Sequence, residues 1–380
     1  MERGLYIHFP FCAARCGYCD FYSTVMQVPH RRYGDAVLRE LERRVGEIEG
    51  RLTSIYVGGG TPSLWDVDEL GRVLRWVAAV HGVELGQIEV TLEINPGSVD
   101  ARGLARLVAA GINRASVGVQ SMDDDLLVLL GRRHDVQDSA RTVRRARAAG
   151  FASVSCDLIC GVPGQTLGQH LDGLSRLLEL EPDHLSLYSL TLSAASPLGR
   201  RGLRPAGQDL AAEMLRRGRE VLSGAGLEQY EVSNYARPGH PCRHNCAVWA
   251  GMPYLGLGAG AHSLAWDGRA NLRRANPELD RYLAGVGPTV ERVEPCAARF
   301  EALFLGLRTR AGIRRATHAS RFGLDPVDEL GPQLEPLLAN GLITVDPDWI
   351  RPTEEGIWFA DDLALRTAPG SPSPPGDPKS

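Results

Sequence analysis

The stretch "LYIHFPFCAARCGYCDF" (residues 5–21) joins a β-rich run to a loop that carries three cysteines. Cys12, Cys16 and Cys19 follow the spacing C-x3-C-x2-C, with an aromatic residue directly before the last thiol. In a reducing compartment, thiols gathered this tightly indicate a metal or redox site rather than disulfides. Because the loop follows a first strand, the site is expected near the end of that strand.

Two kinds of metal centre use thiolates in such a group. One is a zinc ion, which would need a fourth ligand such as His8 or Asp20. The other is a 4Fe–4S cube in which the cysteines hold three irons and the fourth iron stays open. Zinc sites usually carry paired C-x2-C knuckles, and the chain has no second knuckle of that spacing. The pattern therefore favours the iron–sulfur cube.

The first half of the chain repeats one theme, a short β-rich run followed by a turn and an amphipathic helical stretch. The predicted strands cover residues 5–9, 53–59, 87–94, 114–120, 153–159 and 184–190. This alternation predicts an α/β fold with a parallel sheet of right-handed βαβ units. Such a sheet is either doubly wound or a complete or partial (β/α) barrel, and the site lies at the carboxyl ends of the strands.

Polar residues stand at these predicted strand ends. The turn "GGGTPS" (58–63) follows the second strand, and Glu93, Gln120 and Asp157 lie at the ends of the next three. Glycine allows a close approach of backbone to a ligand, and carboxylates accept hydrogen bonds from hydroxyl groups. Arg132, twelve residues after Gln120, suits a ligand carboxylate because its planar fork pairs with two oxygens.

The composition fits a soluble protein with a large core. Of the 380 residues, 43% are hydrophobic and 23% are charged, and the formal net charge is -4. This charge gives no overall attraction to nucleic acid or to anionic membranes. No signal peptide is visible, and no apolar run reaches the roughly 18 residues that a membrane span needs. We therefore expect a cytoplasmic chain without a transmembrane segment.

The second half of the chain follows a different pattern. A helix is expected at 206–226, followed by a Gly-rich and aromatic loop region with short strands. From about residue 295, helical stretches precede "GLITVDPDWIRPTEEG" (341–356), which predicts a β-hairpin and a small winged-helix-like domain. Its basic residues stand among many acidic ones, so we expect a lid over the barrel mouth rather than a nucleic-acid interface. The Pro- and Ser-rich tail, 367–380, is predicted to be disordered.

The cysteine loop, the glycine turn and the polar strand ends together resemble the radical S-adenosylmethionine (SAM) superfamily. The resemblance implies a partial (β/α)6 TIM-like barrel in which Cys12, Cys16 and Cys19 hold a 4Fe–4S cluster. The open iron would bind SAM, and an electron from the cluster would cleave SAM to a 5′-deoxyadenosyl radical. The residues that the resemblance assigns to SAM are Tyr6, Gly59, Gly60, Thr61, Glu93, Gln120, Arg132 and Asp157.

Further motifs resemble one branch of this superfamily, the coproporphyrinogen dehydrogenase-like proteins. They are "SVGVQS" (116–121), "DLICGVPGQT" (157–166) and "HLSLYSL" (184–190). Two members compete, an oxygen-independent coproporphyrinogen III oxidase and the HemW-type heme chaperone. The oxidase has another cysteine where this chain has Phe21, and a long extension before the position of Tyr6, which is not expected here.

The chaperone group carries the heme motif H-N-x-x-Y-W, which this chain matches as "HNCAVW" (244–249). Val248 replaces the tyrosine of the motif, so any contribution of that phenol to heme binding is lost. The resemblance assigns His244 to heme, since a neutral imidazole is a common axial ligand. From the residues alone, a lone histidine beside an asparagine is more often a hydrogen-bonding residue of a loop than a ligand. Cys242 and Cys246 are either small buried thiols, ligands of heme or another metal, or a disulfide pair. The remaining cysteines, Cys156, Cys160 and Cys296, are expected to be core residues.

These motifs predict a heme chaperone on a radical SAM scaffold, with the oxidase as the alternative. The implied cofactors are the cluster, SAM and heme, and the implied partners are apo-hemoproteins that accept heme and an electron donor for the cluster. The implied division of the chain is a core barrel (1–230), a connecting region with the heme motif (231–294), a winged-helix-like domain (295–366) and the tail (367–380).

Overall fold

Six parallel strands follow one another in chain order through the first half of the chain. The computed structural model describes residues 2–47, 49–268 and 270–360. The strands are β1 (Glu2–Phe9), β2 (Arg51–Gly59), β3 (Glu89–Ile94), β4 (Arg114–Gln120), β5 (Ser153–Cys160) and β6 (His184–Ser189). Each pairs in parallel with the next. A doubly wound sheet would reverse its strand order at a switch point, so the barrel alternative is confirmed.

Helices on the outside connect these six strands, and two further helices follow the last of them. They are α1 (His30–Arg44), α2 (Val67–His81), α3 (Ala101–Ala109), α4 (Asp124–Leu129), α5 (Val136–Ala149), α6 (Leu167–Leu178), α7 (Pro197–Arg200) and α8 (Gln208–Gly224). Local sequence sets several of their ends. Asp135 begins α5 with a capping box to Asp138, and left-handed Gly150 ends it, because these residues satisfy backbone groups that the helix leaves unpaired.

The sheet grows at both sides but does not close. The elements that follow are β7 (Glu228–Gln229), β8 (Asn234–Ala236), α9 (Arg243–Trp249), β9 (Tyr254–Leu257), β10 (His262–Trp266), β11 (Asn271–Ala275), α10 (Leu279–Leu283) and β12 (Thr289–Val293). Strand β9 joins β1 in parallel, and β8 joins β6 in antiparallel orientation. Within the described residues, β7 and β12 are the two edges of the sheet. The predicted partial barrel is therefore confirmed, and strands of the predicted connecting region belong to the same sheet.

Alternation along the strands separates the core from the barrel interior. In β1, Leu5, Ile7 and Phe9 are buried in the main apolar cluster, while Tyr6 and His8 line a cavity inside the barrel. This follows from the two-residue repeat of a strand, which sends neighbouring side chains to opposite faces. The outer face packs against helices, and the inner face carries the polar and aromatic groups.

A buried ion pair fixes the turn between β9 and β10. Arg44 and Glu40, 4% and 2% exposed, pair with each other on α1. Arg44 also donates to Ser263 Oγ (3.0 Å) and to the carbonyl of Gly256 (3.1 Å). Glu40 accepts from the N–H of Gly258 (2.9 Å). The two charges thus tie a segment some 220 residues away in the chain to the first helix.

The C-terminal part forms a second unit with its own apolar cluster. Its elements are α11 (Pro295–Gly306), β13 (Ile313–Arg314), α12 (Arg315–Phe322), α13 (Pro326–Leu330), α14 (Leu334–Ala339), β14 (Ile343–Val345) and β15 (Trp349–Pro352). Strands β14 and β15 form the predicted hairpin, and β13 pairs with β15, which confirms the winged-helix-like outline. Backbone bonds join it to the barrel, from Val232 N–H to the Arg308 carbonyl (3.1 Å) and from Arg310 N–H to the Tyr230 carbonyl (3.0 Å).

Some expectations on the C-terminal part are corrected or fall outside the structure. Cys296, expected to be a core residue, is exposed at the start of α11, whereas Cys156 and Cys160 are buried as expected. The predicted disordered tail, 367–380, and residues 361–366 lie outside the described residues. Among the helices that are described, none has the length and apolar character needed to cross a membrane.

Candidate functional site

The three cysteines of the first loop lie around one cavity. The loop between β1 and α1 is held by backbone bonds between Cys12 N–H and the Thr24 carbonyl (2.9 Å) and between Gly17 N–H and the Leu130 carbonyl (2.8 Å). Cys12, Cys16 and Cys19 are unpaired, partly exposed thiols. They line a space of about 490 Å³ that we call the cysteine cavity. It opens at the carboxyl ends of the strands, as the fold predicts.

The donor set of this cavity fits a 4Fe–4S cube better than zinc. Both ring nitrogens of His8 are engaged, by the Tyr6 hydroxyl (3.0 Å) and the Tyr22 carbonyl (3.0 Å), so His8 does not offer a fourth zinc ligand. In residues 2–47, 49–268 and 270–360, no three His, Cys, Asp or Glu side chains are arranged for a single metal ion. The thiols of a cube bind different irons and need not converge on one point.

The glycine turn after β2 brings the strand end against the cysteine loop. Gly59 has φ +114°, and a Cβ there would come within 2.6 Å of the His8 ring. A Cβ on Gly60 would lie 2.7 Å from the Phe11 carbonyl oxygen and 3.0 Å from Cys12 Sγ. Larger residues would therefore push the two segments apart. Thr61 Oγ1 lies 3.6 Å from Cys12 Sγ, within reach of a weak O–H···S bond.

Two carboxyl groups face the cysteine cavity from β3 and β5. Glu93 accepts from the Tyr56 hydroxyl (2.9 Å) and the Gly59 N–H (3.0 Å). Burial, together with the charge of Asp157, raises the pKa of Glu93 to about 7. Burial also raises the pKa of Asp157, which accepts from the Ser116 hydroxyl (3.3 Å). Glu93 can thus take up a proton near neutral pH, and both carboxyl groups offer oxygens to a ligand.

Arg132 and Gln120 complete the predicted set at this cavity. Arg132 donates to the Gly118 carbonyl (2.8 Å) and lies 3.4 Å from Cys16 Sγ. Its Nε is buried without a hydrogen-bond partner in the described residues. Gln120 has φ +65°, a left-handed conformation that costs a non-glycine residue energy and that clusters at functional sites. All the predicted SAM residues except Tyr6 line the cysteine cavity.

Several polar side chains of this cavity were not predicted from the sequence. Arg114, 3% exposed, lines the cavity, and its buried Nε has no hydrogen-bond partner in the described residues. His184 is held between the Ser155 hydroxyl (2.8 Å) and the Tyr230 hydroxyl (2.8 Å), and burial lowers its pKa. The sequence does hold a signal for Arg114 and Ser116. They lie an even number of residues before Gln120 on β4, so their side chains are expected on the same face of the strand.

Tyr6 and His244 lie in a second space. This lateral cavity, of about 660 Å³, is lined by β1, the loop at residues 20–22, α9 and the turn between β9 and β10. Its aromatic and imidazole side chains are Tyr6, His8, Phe21, Tyr22, Tyr56, Tyr188, His244, Trp249, Tyr254 and His262. It adjoins the cysteine cavity, since both are lined by Asp20, Phe21, Tyr56, Tyr188 and Asn245.

His244 is packed inside the barrel rather than in an open loop. Its ring lies 5.3 Å from the Tyr56 ring and 6.3 Å from the Tyr6 ring, between centroids, and its Nδ1 is 3.2 Å from Ser54 Oγ. Burial lowers the pKa of His244 to about 4, so the ring is neutral at physiological pH. The backbone N–H of His244 donates to Glu89 Oε1 (3.1 Å).

The flanking thiols differ in environment. Cys242 is fully buried, its Sγ lies 3.4 Å from a Glu89 carboxylate oxygen, and burial raises its pKa to about 12. This favours the neutral thiol, the buried alternative of the sequence analysis. Cys246 lies one helical turn later on α9, and the residue as a whole is exposed. Its sulfur is nevertheless partly shielded from water, which raises the pKa of the thiol to about 11.

Comparison with known families gives two matches along the chain. Residues 6–177 match the radical SAM superfamily, and residues 294–359 match the HemN C-terminal domain. The first contains every predicted cluster and SAM residue, and the second covers the described winged-helix-like unit.

Comparison with individual proteins gives similarity over almost the whole length. The heme chaperone HemW of Escherichia coli K12 is 36% identical over 94% of this chain and 96% of its own. HemW of Bacillus subtilis is 33% identical over 95% and 98%. Among solved structures, the coproporphyrinogen III oxidase HemN of Escherichia coli, a radical SAM enzyme, superposes with a TM-score of 0.81 at 22% identity over 97% of this chain and 90% of that one. This last likeness shows a shared fold.

Proposed function

Because this chain belongs to the HemW-type heme chaperones of the radical SAM superfamily, we propose that it binds heme and delivers it to apo-hemoproteins. The observation that carries the proposal is the match to HemW proteins at 33–36% identity over nearly the entire chain. The proposed cofactors are a 4Fe–4S cluster and SAM, with heme as the cargo. We propose that an electron donor serves the cluster.

Cys12, Cys16 and Cys19 would hold the cluster, since they are the thiols of the cysteine cavity. Three ligands would leave one iron of the cube without a protein ligand, and SAM would bind there. When bound, the cluster and SAM supply one-electron chemistry that protein side chains lack. The fold's contribution is to hold the three thiols around a recess at the strand ends.

The strand-end residues would hold SAM in the same recess. Arg132 suits the carboxylate of SAM, and Glu93 and Asp157 suit ribose hydroxyls, which donate to carboxylate oxygens. The turn Gly59–Thr61 offers backbone close to the cysteine loop, and Gln120 faces the cavity from β4. Tyr6 would not contact SAM directly but would position Glu93 through Tyr56. Its ring stacks on the Tyr56 ring, with 6.1 Å between centroids, and the Tyr56 hydroxyl donates to Glu93.

The lateral cavity would hold heme. A flat macrocycle gains from aromatic walls, which supply stacking and apolar contact, and the space of about 660 Å³ is in the range of ligand pockets. His244 and Trp249 of the heme motif both line it. His244 is a proposed heme contact, supported by its neutral ring at the inner wall.

The oxidase alternative has less support. Phe21 stands where the oxidase has a cysteine, and it lies between the two cavities with 68% of its surface exposed. Nucleic-acid binding is not proposed, because basic residues of the C-terminal unit are engaged internally. Arg308 covers the rings of Trp249 (5.4 Å) and Phe304 (4.8 Å), and Arg310 pairs with Glu354 (3.1 Å). We propose the cytoplasm as the site of action, since it keeps cluster thiols reduced.

The test uses the full chain, reconstituted with iron and sulfide without oxygen and titrated with hemin. We expect a saturable Soret band, and transfer of heme to an added heme-free cytochrome followed by the acceptor's own spectrum. A His244→Ala variant should show a weakened or altered spectrum. Absence of heme binding, together with decarboxylation of coproporphyrinogen III in the presence of SAM and a reductant, would instead establish the oxidase.

A further inference from the structure

His262 stands at the rim of the lateral cavity with an uncommitted ring. It is the first residue of β10, is exposed, and lines the cavity. No hydrogen bond or ion pair engages its ring in the part of the chain that the structure describes. A histidine in this condition can present a ring nitrogen to a metal without first breaking another contact.

The other two histidines of this cavity are already committed. His8 uses both ring nitrogens, with Tyr6 and with the Tyr22 carbonyl. His244 is 5% exposed, and its Nδ1 lies beside Ser54 Oγ. His244 is also packed so tightly that a Cβ on Gly4 would come within 3.0 Å of its ring. Among the described residues, His262 is therefore the histidine of the lateral cavity with the most accessible ring.

Hydrogen bonds hold the backbone on both sides of His262, although its side chain is exposed. The Asn276 N–H donates to the Ala261 carbonyl (2.8 Å), and the Gly256 N–H donates to Ser263 Oγ (2.9 Å). Arg44, in its buried ion pair, holds Ser263 from behind. A side chain on such a support is preorganised, which is what an effective metal ligand requires.

We propose that His262 is an iron ligand for the heme held in the lateral cavity, acting from the rim while His244 contacts the cargo from the inner wall. This rests on the proposed function. The position of His262 at the rim also suits the release of heme to an acceptor protein. As an acceptor's ligand forms its bond to iron, the iron–imidazole bond of His262 breaks and the imidazole leaves neutral. The iron keeps its oxidation state, and no proton or electron is moved.

The experiment replaces the ligand and then supplies it from solution. In His262→Gly, the heme spectrum should change from that of the wild type, and the dissociation constant should rise about 10-fold or more, the order seen even when a residue behind a metal ligand is removed. Added imidazole should restore the wild-type Soret position and EPR signature. His30→Ala serves as the control, because His30 lines neither cavity.

The outcomes separate the inference from the function on which it rests. If wild-type protein binds no heme, the proposed function fails. If wild-type protein binds heme and His262→Gly keeps its spectrum and affinity, the assignment of His262 is wrong. A spectrum that is lost in His262→Gly but not restored by imidazole, in a variant whose unfolding curve matches the wild type, also overturns it.

Discussion

The cysteine cavity and the lateral cavity share part of a wall but are built from different chemistry. The first is lined by thiols, the acids Glu93 and Asp157, and the guanidinium groups of Arg114 and Arg132. The second is lined mainly by aromatic rings and imidazoles. Opposite charges inside the first can orient a small ionic cofactor, whereas the rings of the second suit a flat, largely apolar cargo. In the proposed function, the different wall chemistry of the two cavities would separate the cofactors from the heme.

The largest expected effect is the loss of the cluster from the cysteine cavity, with the lateral cavity left unchanged. Replacing Cys12, Cys16 or Cys19 by alanine should reduce iron and sulfide from about four each per chain to near zero, because a cube held by two thiols is lost. Metal analysis, sulfide analysis and EPR after anaerobic reconstitution measure this. Cys296→Ala, at an exposed position, is the control and should keep the full cluster. A wild-type chain that carries zinc without sulfide would contradict the assignment.

If the two cavities are independent, the Cys16→Ala protein should still bind hemin with the affinity of the wild type. A parallel loss of hemin binding would show instead that the cluster supports the shared wall, and the separation of the two cavities would then be wrong.

The next effect concerns the support of the lateral cavity. Arg44→Met leaves Glu40 charged and buried, and we expect a loss of about 3–5 kcal/mol in the free energy of unfolding. Urea unfolding of the cofactor-free chain measures it. Arg72→Met is the matched control, because its pairs with Asp35 and Glu69 are more exposed and should cost about 1 kcal/mol or less. Equal losses in the two variants would contradict the role of burial.

A smaller effect follows from the raised pKa of Glu93. A folded-state pKa of about 7, above the ordinary 4.5, means that the folded chain binds this proton more tightly than the unfolded chain. The stability from this group is complete below pH 4.5 and is lost as the pH rises towards 7, at no more than about 1.4 kcal/mol per pH unit.

Glu93→Gln removes that slope, so the stability of the variant relative to wild type should increase from pH 5 to pH 7, on top of a constant offset from its altered hydrogen bonds. Urea unfolding at three pH values measures the trend. Glu213→Gln, on the exposed side of α8, should show none. A constant difference between wild type and Glu93→Gln would mean that the pKa of Glu93 is ordinary.

The smallest expected effect concerns Phe21, a residue of the wall that the two cavities share. Phe21 lines both but is largely exposed, so Phe21→Ala should change the free energy of unfolding by no more than about 0.5 kcal/mol. If the ring covers one face of the bound heme, the variant should lose about 0.5–1.5 kcal/mol of hemin binding. Hemin titration measures this, and Val128→Ala, exposed elsewhere, is the control. Equal affinities would remove Phe21 from the proposed heme contacts.

Much of the cysteine cavity could be predicted from the sequence, because its signals are local. The spacing of the thiols, the glycine turn and the polar residue at the end of each strand are all visible in short windows. Parallel strands then bring their carboxyl ends to one edge, so residues as distant as Gly60 and Asp157 meet without further information. Arg114 and His184 were not predicted because they are the first residues of β4 and β6 and do not stand at the carboxyl ends of these strands.

The lateral cavity could not be predicted in this way. It exists because β9 pairs with β1 across about 250 residues, and because α9 packs against β1 and β2 of a barrel that stays open. Tyr6 was predicted for SAM from the cysteine-loop motif, yet its side chain lines the lateral cavity. His262 carried no motif that the sequence analysis used, and only the fold shows that its ring is exposed at the rim.

By itself the sequence determined the α/β alternation, the thiol group and the family, since these depend on periodicity and spacing within short segments. Only the tertiary structure decided which side of each wall a residue faces, which imidazoles are committed to hydrogen bonds, and which charges are buried. The physical reason is that burial and hydrogen bonding depend on contacts between distant segments. Such contacts leave no regular pattern in the chain.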